Sequence, residues 1–307
     1  MELSSNTSDK TVSQANLQRA ATYASVCVAL FLIGIKVWAW MQTSSVAMLS
    51  SLVDSLLDVA ASLITLVAVS VALQPPDLEH RFGHGKAEGL AALAQSIIIA
   101  GSAVFVFVEA VQRLINPREV DKPEAGIAVM LLSILLTLGI VAFQRFVVKR
   151  TGSMAISADA SHYQSDLLIN LAVLIAIPIA AYSDFNVIDP LLGICVAAFI
   201  LWTTYGIGAN ALDVLLDREL PSELRQQIID IARDHPEVRG CHDLRTRFGG
   251  NRYFIQFHLE LAAETSLMMA HRISDEVEDL VRMQFPACDI IVHADPEGIE
   301  EARDNFS

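Results

Sequence analysis

Up to about residue 213 the chain alternates long apolar runs with short polar breaks; beyond it the runs stop. About 20 apolar residues cross a bilayer core. Runs of that order fall at 17–41, 45–73, 90–115, 125–148, 154–182 and 187–212. The pattern predicts six membrane helices, with both termini on the same side. After residue 213 the periods shorten. In PSELRQQIIDIARDHP, opened by Pro221, Ile228, Ile231 and Ala232 share one helical stripe. RYFIQFHLEL alternates, with Tyr253, Ile255, Phe257 and Leu259 on one face and Phe254, Gln256, His258 and Glu260 on the other. HDLRTRF and CDIIVHA read as flanking strands, and LMMAHRISDEVEDLVRMQF as an amphipathic helix behind a capping Ser or Thr. The fold class expected is an all-α six-helix membrane bundle followed by an α+β ferredoxin-like domain of order αββαβ. The expected boundaries are a tail at 1–16, the bundle at 17–213, the soluble domain at 214–295 and an acidic tail at 296–307.

Composition agrees with a membrane chain: 53% hydrophobic, mean hydropathy +0.45, despite 35 acidic side chains. Basic residues orient it. With the N-terminus inside, inner segments carry Lys10, Arg19, Arg81, Lys86, Arg145, Lys149 and Arg150, against Arg113, Arg118 and Lys122 outside. Both termini are therefore expected in the cytoplasm of a bacterial-style inner membrane. The first run is too long, and lacks a small-residue cleavage site, for a removed signal peptide. From Asp213 onward, 20 acidic residues face 10 Arg and no Lys. That balance argues against nucleic acid or anionic lipid as partner and is compatible with attracting divalent cations. The four cysteines form no CxxC, and single small gap-fillers are the expectation. His235, at the end of the first soluble helix, is expected to assist its C-terminal cap.

The chemistry sits in two i, i+4 pairs sunk in apolar runs: Asp54 with Asp58, and His162 with Asp166. That spacing puts each pair on one helix face. Charge at membrane depth is costly and by default marks an ion pathway. Three carboxylates and one imidazole also suit a tetrahedral divalent metal. At about 1.5 Å rise per residue both pairs lie roughly 12–20 Å deep, level with each other. Asn170 extends the stripe, and Ser51 and Ser55 flank the aspartates as possible outer hydrogen-bond partners. The bland alternative is a set of helix-packing hydrogen bonds. The sharper rivals are an intramembrane metallohydrolase, a non-transporting metal receptor and a channel. Neither HExxH nor GxSxG occurs, which leaves the hydrolase without its usual motifs. Two further groups carry ligand chemistry: Asp77, His80 and His84 in the turn PPDLEHRFGHGK, and His242, His258, His271, His293 and Asp295 in the tail. Each is a zinc-type donor set, or a set of solvated side chains with no metal.

These stretches (SLVDSLLDVAASL, HRFGHGKAEGLAALAQS, SADASHYQSDLLIN, LLDRELP, CHDLRTR with FIQFHLEL, and IVHADP) resemble, in order, the cation diffusion facilitator family and its bacterial zinc/iron efflux members. The resemblance covers nearly the whole chain beyond about residue 15. It implies a secondary active transporter rather than an enzyme, a homodimer embedded in membrane lipid that exchanges Zn(II), and possible Fe(II) or Cd(II), for protons. It assigns Asp54, Asp58, His162 and Asp166 to the transport site and Asp77, His80 and His84 to a loop site. It assigns His242, His258, His271, His293 and Asp295 to a two-metal cytoplasmic cluster, and Lys86 with Asp217 to a salt bridge holding the dimer. No organic cofactor is implied. One departure stands out: the family pattern has Leu before the transport-site His, where this chain has Ser161.

Overall fold

The computed structural model describes residues 2–43, 46–115, 124–182 and 188–298, with some helix side chains, Asp54 among them, outside the description. The chain divides into two compact units, 1–212 and 213–307.

The first unit holds the long helices α1 (Glu2–Thr43), α2 (Val46–Ala72), α3 (Lys86–Ile115), α4 (Glu124–Thr151) and α5 (Met154–Tyr182), with α6 (Ile188–Leu215) running on from it. Among the described residues, five are long and apolar enough to cross a membrane. Helix α5 carries Asp159, His162 and Asp166 in its first half, and most side chains of its last two turns lie outside the described residues. Helix α1 starts well before the predicted span.

Burial is inverted relative to a soluble bundle. Trp202 and Tyr205 are 74% and 78% exposed, whereas Gln95, Gln144 and Asp159 are 0% exposed. Apolar side chains facing lipid lose nothing by exposure, while polar side chains in hydrocarbon must find partners inside. The bundle is tied together accordingly. Helix α1 packs on α2 and α4, and α5 packs on α2, α3 and α4. Helix α6 meets α3 and α5 through Ile99, Ala103 and Ile200, with Ile169 against them. Small residues set that approach: a Cβ at Gly208 would lie 3.1 Å from Ser96 Oγ, and one at Gly193 3.1 Å from Ala110 Cβ.

The second unit follows the predicted order, α7 (Ser222–Arg233), β1 (Gly240–Phe248), β2 (Tyr253–Leu261), α8 (Leu267–Gln284) and β3 (Cys288–Pro296). The sheet order is β1-β2-β3, with β1/β2 antiparallel and β2/β3 parallel. The parallel pairing requires a crossover, and α8 supplies it. Ile255, Phe257 and Leu259 bury one sheet face against Ile228 and Ala232 of α7 and Ile273, Val277 and Val281 of α8. Phe254, on the opposite face, is also buried, with the Arg247 guanidinium 4.7 Å from its ring centroid. Ser266 caps α8 by accepting the Met269 N–H. His235 does something other than the expected capping: its Nδ1 accepts the Glu237 N–H and its Nε2 lies 3.0 Å from Glu276 on α8. It joins two elements rather than closing one.

Candidate metal centres

Antiparallel passage of α2 and α5 brings the two membrane pairs level. His162 Nε2 lies 3.1 Å from Asp58 Oδ1 and 3.7 Å from Asp166 Oδ2. Tetrahedral ligands about 2.1 Å from a zinc ion lie roughly 3.4 Å from one another, so these separations bracket what such an ion needs. The imidazole is buried, 3% exposed, and both carboxylates are half-buried. Asp54 lies one turn before Asp58 on α2, and its side chain is outside the described residues. Ser55 Oγ accepts from Lys36 Nζ at 2.6 Å, so a cation from α1 reaches this level of α2. Nothing in the local sequence around Lys36 pointed to that. Ser161 Oγ donates to the Ser157 carbonyl of its own helix, so this hydroxyl is satisfied locally.

Two carboxylates that the spacing argument passed over anchor α5. Glu88, 4% exposed on α3, accepts from Ser153 Oγ (2.7 Å) and from the N–H groups of Met154 (2.7 Å) and Ala155 (3.3 Å). It caps α5 from another helix, where the N-terminal dipole favours negative charge. Asp159 accepts from Ser25 Oγ (2.7 Å), Gln144 Nε2 (2.6 Å) and Gln95 Nε2 (3.3 Å). The only local signal for Asp159 was an acid within an apolar run, three residues before His162.

In the soluble unit, strand register lines up a row of imidazoles. His242 on β1 pairs with His258 on β2, which pairs with His293 on β3. The β1 register shifts between His242 and Arg245, and Asp243 takes a left-handed φ of 46° there. That bulge lets β1 change phase immediately after His242. Asp295 serves all three rings: Oδ2 is 3.5 Å from His242 Nε2 and 2.8 Å from His258 Nδ1, and Oδ1 is 3.1 Å from His293 Nε2. Glu260 Oε1 adds a carboxylate 2.9 Å from His242 Nδ1. Both His242 nitrogens are nonetheless buried without a well-formed hydrogen bond among the described residues. Close carboxylates at poor hydrogen-bond angles, with nitrogens otherwise unsatisfied, fit a set of donors arranged for a cation. His271 stands apart from the row. It is 72% exposed on α8, 3.6 Å from Asp275, so the structure does not gather all five predicted residues.

The loop group also converges. Asp77 Oδ1 is 3.4 Å from His80 Nδ1, and its Oδ2 is 3.3 Å from His84 Nε2. Gly83, at φ +84°, permits the turn that brings His84 back. The Asp77 carboxylate accepts the backbone N–H of His80 (2.6 Å) and of Glu79 (2.9 Å). The His80 amide bond chiefly holds its pKa below the ordinary carboxylate value, helped by the Glu79 amide and the two imidazoles. Lys86 opens α3 in the first unit; Asp217 lies in the second, at a left-handed φ of 57°, with Arg247 Nη1 3.1 Å from its carboxylate.

Half-buried carboxylates and a buried imidazole, level on two helices of an apolar-surfaced bundle, are a donor set suited to a cation within a membrane. The chain belongs to the cation efflux family. The family's transmembrane domain matches residues 22–216 and its cytoplasmic domain residues 220–297. Among its relatives, the cation-efflux pump FieF of Citrobacter koseri is 47% identical over 280 residues, 91% of this chain and 93% of that protein. FieF of Yersinia enterocolitica is 47% identical over 285 residues, 93% and 95% of the two chains. A zinc-form structure of CzrB aligns with 28% of this chain and 98% of its own length, at 33% identity and a TM-score of 0.26. The protein is thus a cation efflux transporter of the cation diffusion facilitator family, as its motifs implied.

Proposed function

We propose that this chain exports Zn(II) from the cytoplasm in exchange for protons, through a site made of Asp54, Asp58, His162 and Asp166. The observation that carries this reading is the His162 ring, buried in the membrane unit with Nε2 aimed between Asp58 and Asp166 at 3.1 and 3.7 Å. Asp54 supplies the fourth ligand by its place one turn from Asp58. Zinc needs ionised carboxylates and a neutral imidazole, so metal and protons compete for the same atoms. Zinc loaded from the cytoplasm displaces protons. When the site opens outward the metal leaves, His162 and a carboxylate take up protons, and the inward proton gradient drives the return. The termini are proposed to be cytoplasmic, as the basic residues predict. Carboxylate and imidazole ligands also admit Fe(II) and Cd(II).

The assembly is proposed to be a homodimer, with Lys86 and Asp217 pairing where it is held. The donors His242, His258, His293 and Asp295 would hold resident divalent ions in the soluble unit. Bound there, such ions supply positive charge that offsets the acidic side chains and ties three strands together. The loop group Asp77, His80 and His84 is proposed as a further peripheral site.

The test is zinc flux into proteoliposomes under an imposed pH gradient, comparing the parent chain with Asp58→Ala. Gradient-dependent flux abolished by the substitution is the expected result. Flux that survives it, or ignores the gradient, moves the receptor or channel reading ahead.

A further inference from the structure

Asp159 is buried in the bundle, 0% exposed, and every hydrogen bond the described residues give it comes from a neutral donor on another helix. Ser25 comes from α1, Gln95 from α3 and Gln144 from α4. Helix α2 joins through two bridges: Gln95 Nε2 also reaches the Ala61 carbonyl (2.9 Å) and Thr65 Oγ1 (3.1 Å), and Ser62 Oγ lies 2.9 Å from Ser25 Oγ. Tyr163 Oη closes the ring, 3.0 Å from Ser62 Oγ and 3.3 Å from the Ser25 carbonyl. A single carboxylate on α5 is thereby fixed, directly or through one bridge, against α1, α2, α3 and α4. A carboxylate serving only to pack one helix pair would not need donors from three.

We propose that Asp159 is a positioning residue for transport: this network sets the rotation and level of α5, and so the distance at which His162 and Asp166 meet Asp58. The inference rests on the transport-site reading above. Its leverage is geometric. An imidazole nitrogen roughly 6 Å off a helix axis moves about 2 Å for a 20° rotation of that helix. Metal–ligand distances tolerate only about 0.2 Å. Asp159 is three residues from His162, within one turn, so little of such a rotation is absorbed between them.

The geometry also predicts which substitution is tolerated. Gln95 Oε1 and Gln144 Oε1 are buried with no partner among the described residues. An Asn at 159 retains an acceptor oxygen, and its amide can donate to Gln144 once that side chain turns over. An Ala leaves several donors unpaired and α5 untethered.

The experiment is zinc flux in proteoliposomes with KM and maximal rate separated, for the parent, Asp159→Ala, Asp159→Asn and Asp58→Ala. Expected is a KM for zinc raised about 10–100-fold in Asp159→Ala, the usual loss when support of a metal ligand goes, and largely restored in Asp159→Asn. A maximal rate lowered at unchanged KM assigns Asp159 to folding alone and overturns the proposal. Equal damage from Asn and Ala shows that its charge matters rather than its hydrogen bonds, and overturns it too. If Asp159→Ala does not fold, Ser25→Ala and Gln144→Leu each remove one donor; both must raise KM, and an unchanged KM refutes the idea. Asp58→Ala separates the two readings. Flux persisting in that variant sinks the transport site itself, whereas flux lost there with normal KM in Asp159→Ala sinks only the positioning role.

Discussion

Replacing Glu88 by Ala removes the cap of the helix that carries His162 and Asp166. The carboxylate is 4% exposed and accepts from Ser153 Oγ and from the N–H groups of Met154 and Ala155. Truncation leaves two N-terminal amides of α5 without an acceptor. Losing a cap costs about 1 kcal/mol, and a hydrogen bond to a charged group is worth about 1.5–3 kcal/mol. The helix dipole contributes about 0.3–1 kcal/mol more. Ser153 Oγ still accepts the Ile156 N–H at 3.3 Å and retains part of the cap. Because these contributions overlap, the net loss expected for Glu88→Ala is about 2–4 kcal/mol. Glu88→Gln keeps an acceptor oxygen and loses only the charge, so about 1 kcal/mol is expected, near the value of a neutral hydrogen bond. The assay is equilibrium unfolding of the purified full chain in detergent, followed by tryptophan fluorescence, with zinc flux measured in parallel. Ala and Gln variants both as stable as the parent would refute the reasoning, since the amides of α5 would then need no partner. Equal destabilisation by the two would show that the charge, not the acceptor, holds the helix end.

Other measurements bear on the remaining sites. Asp295→Ala should lower the zinc bound per chain more than His271→Ala, because Asp295 touches His242, His258 and His293 while His271 stands apart; a metal count of each variant after dialysis decides it, and equal loss would bring His271 into the cluster. The Asp77 carboxyl should titrate below the ordinary value of about 3.9. Since its folded pKa is lowered, its contribution to the turn is complete above that ordinary value and fades as pH falls through the folded one; a carbon-detected NMR titration with a midpoint at or above 3.9 would contradict the hydrogen bonds from His80 and Glu79. Burial pushes the Cys241 thiol up to about 11, so with the other cysteines changed to Ser it should resist maleimide near pH 8 until the soluble unit unfolds. Rapid labelling of the folded chain would mean that this core opens readily.

Interactions in this chain differ in the range over which they act. Helix length, the αββαβ order and the i, i+4 pairs are local matters: a bilayer fixes the length of an apolar run, and periods of 3.6 and 2 fix which side chains share a face. Hence α7, α8 and the three strands fall close to their predicted places, and Asp58, His162 and Asp166 stood out before any coordinates. Register is not local. Whether His242, His258 and His293 form a row depends on two strand pairings, one antiparallel and one parallel through α8, and the same pairings leave His271 outside. Rotation and depth of one helix against another are not local either. The sequence offered Asp159 and Glu88 as two acids among many; their donors come from residues as distant as Ser25 and Ala155, and only the packed bundle brings them within 2.7–3.3 Å. The chain by itself thus determined which runs are long and apolar enough to span a membrane and which residues carry cation-binding donor atoms. Tertiary structure decided how α5 is held so that they meet, because hydrogen bonds between helices exist only after rotation and level have been chosen.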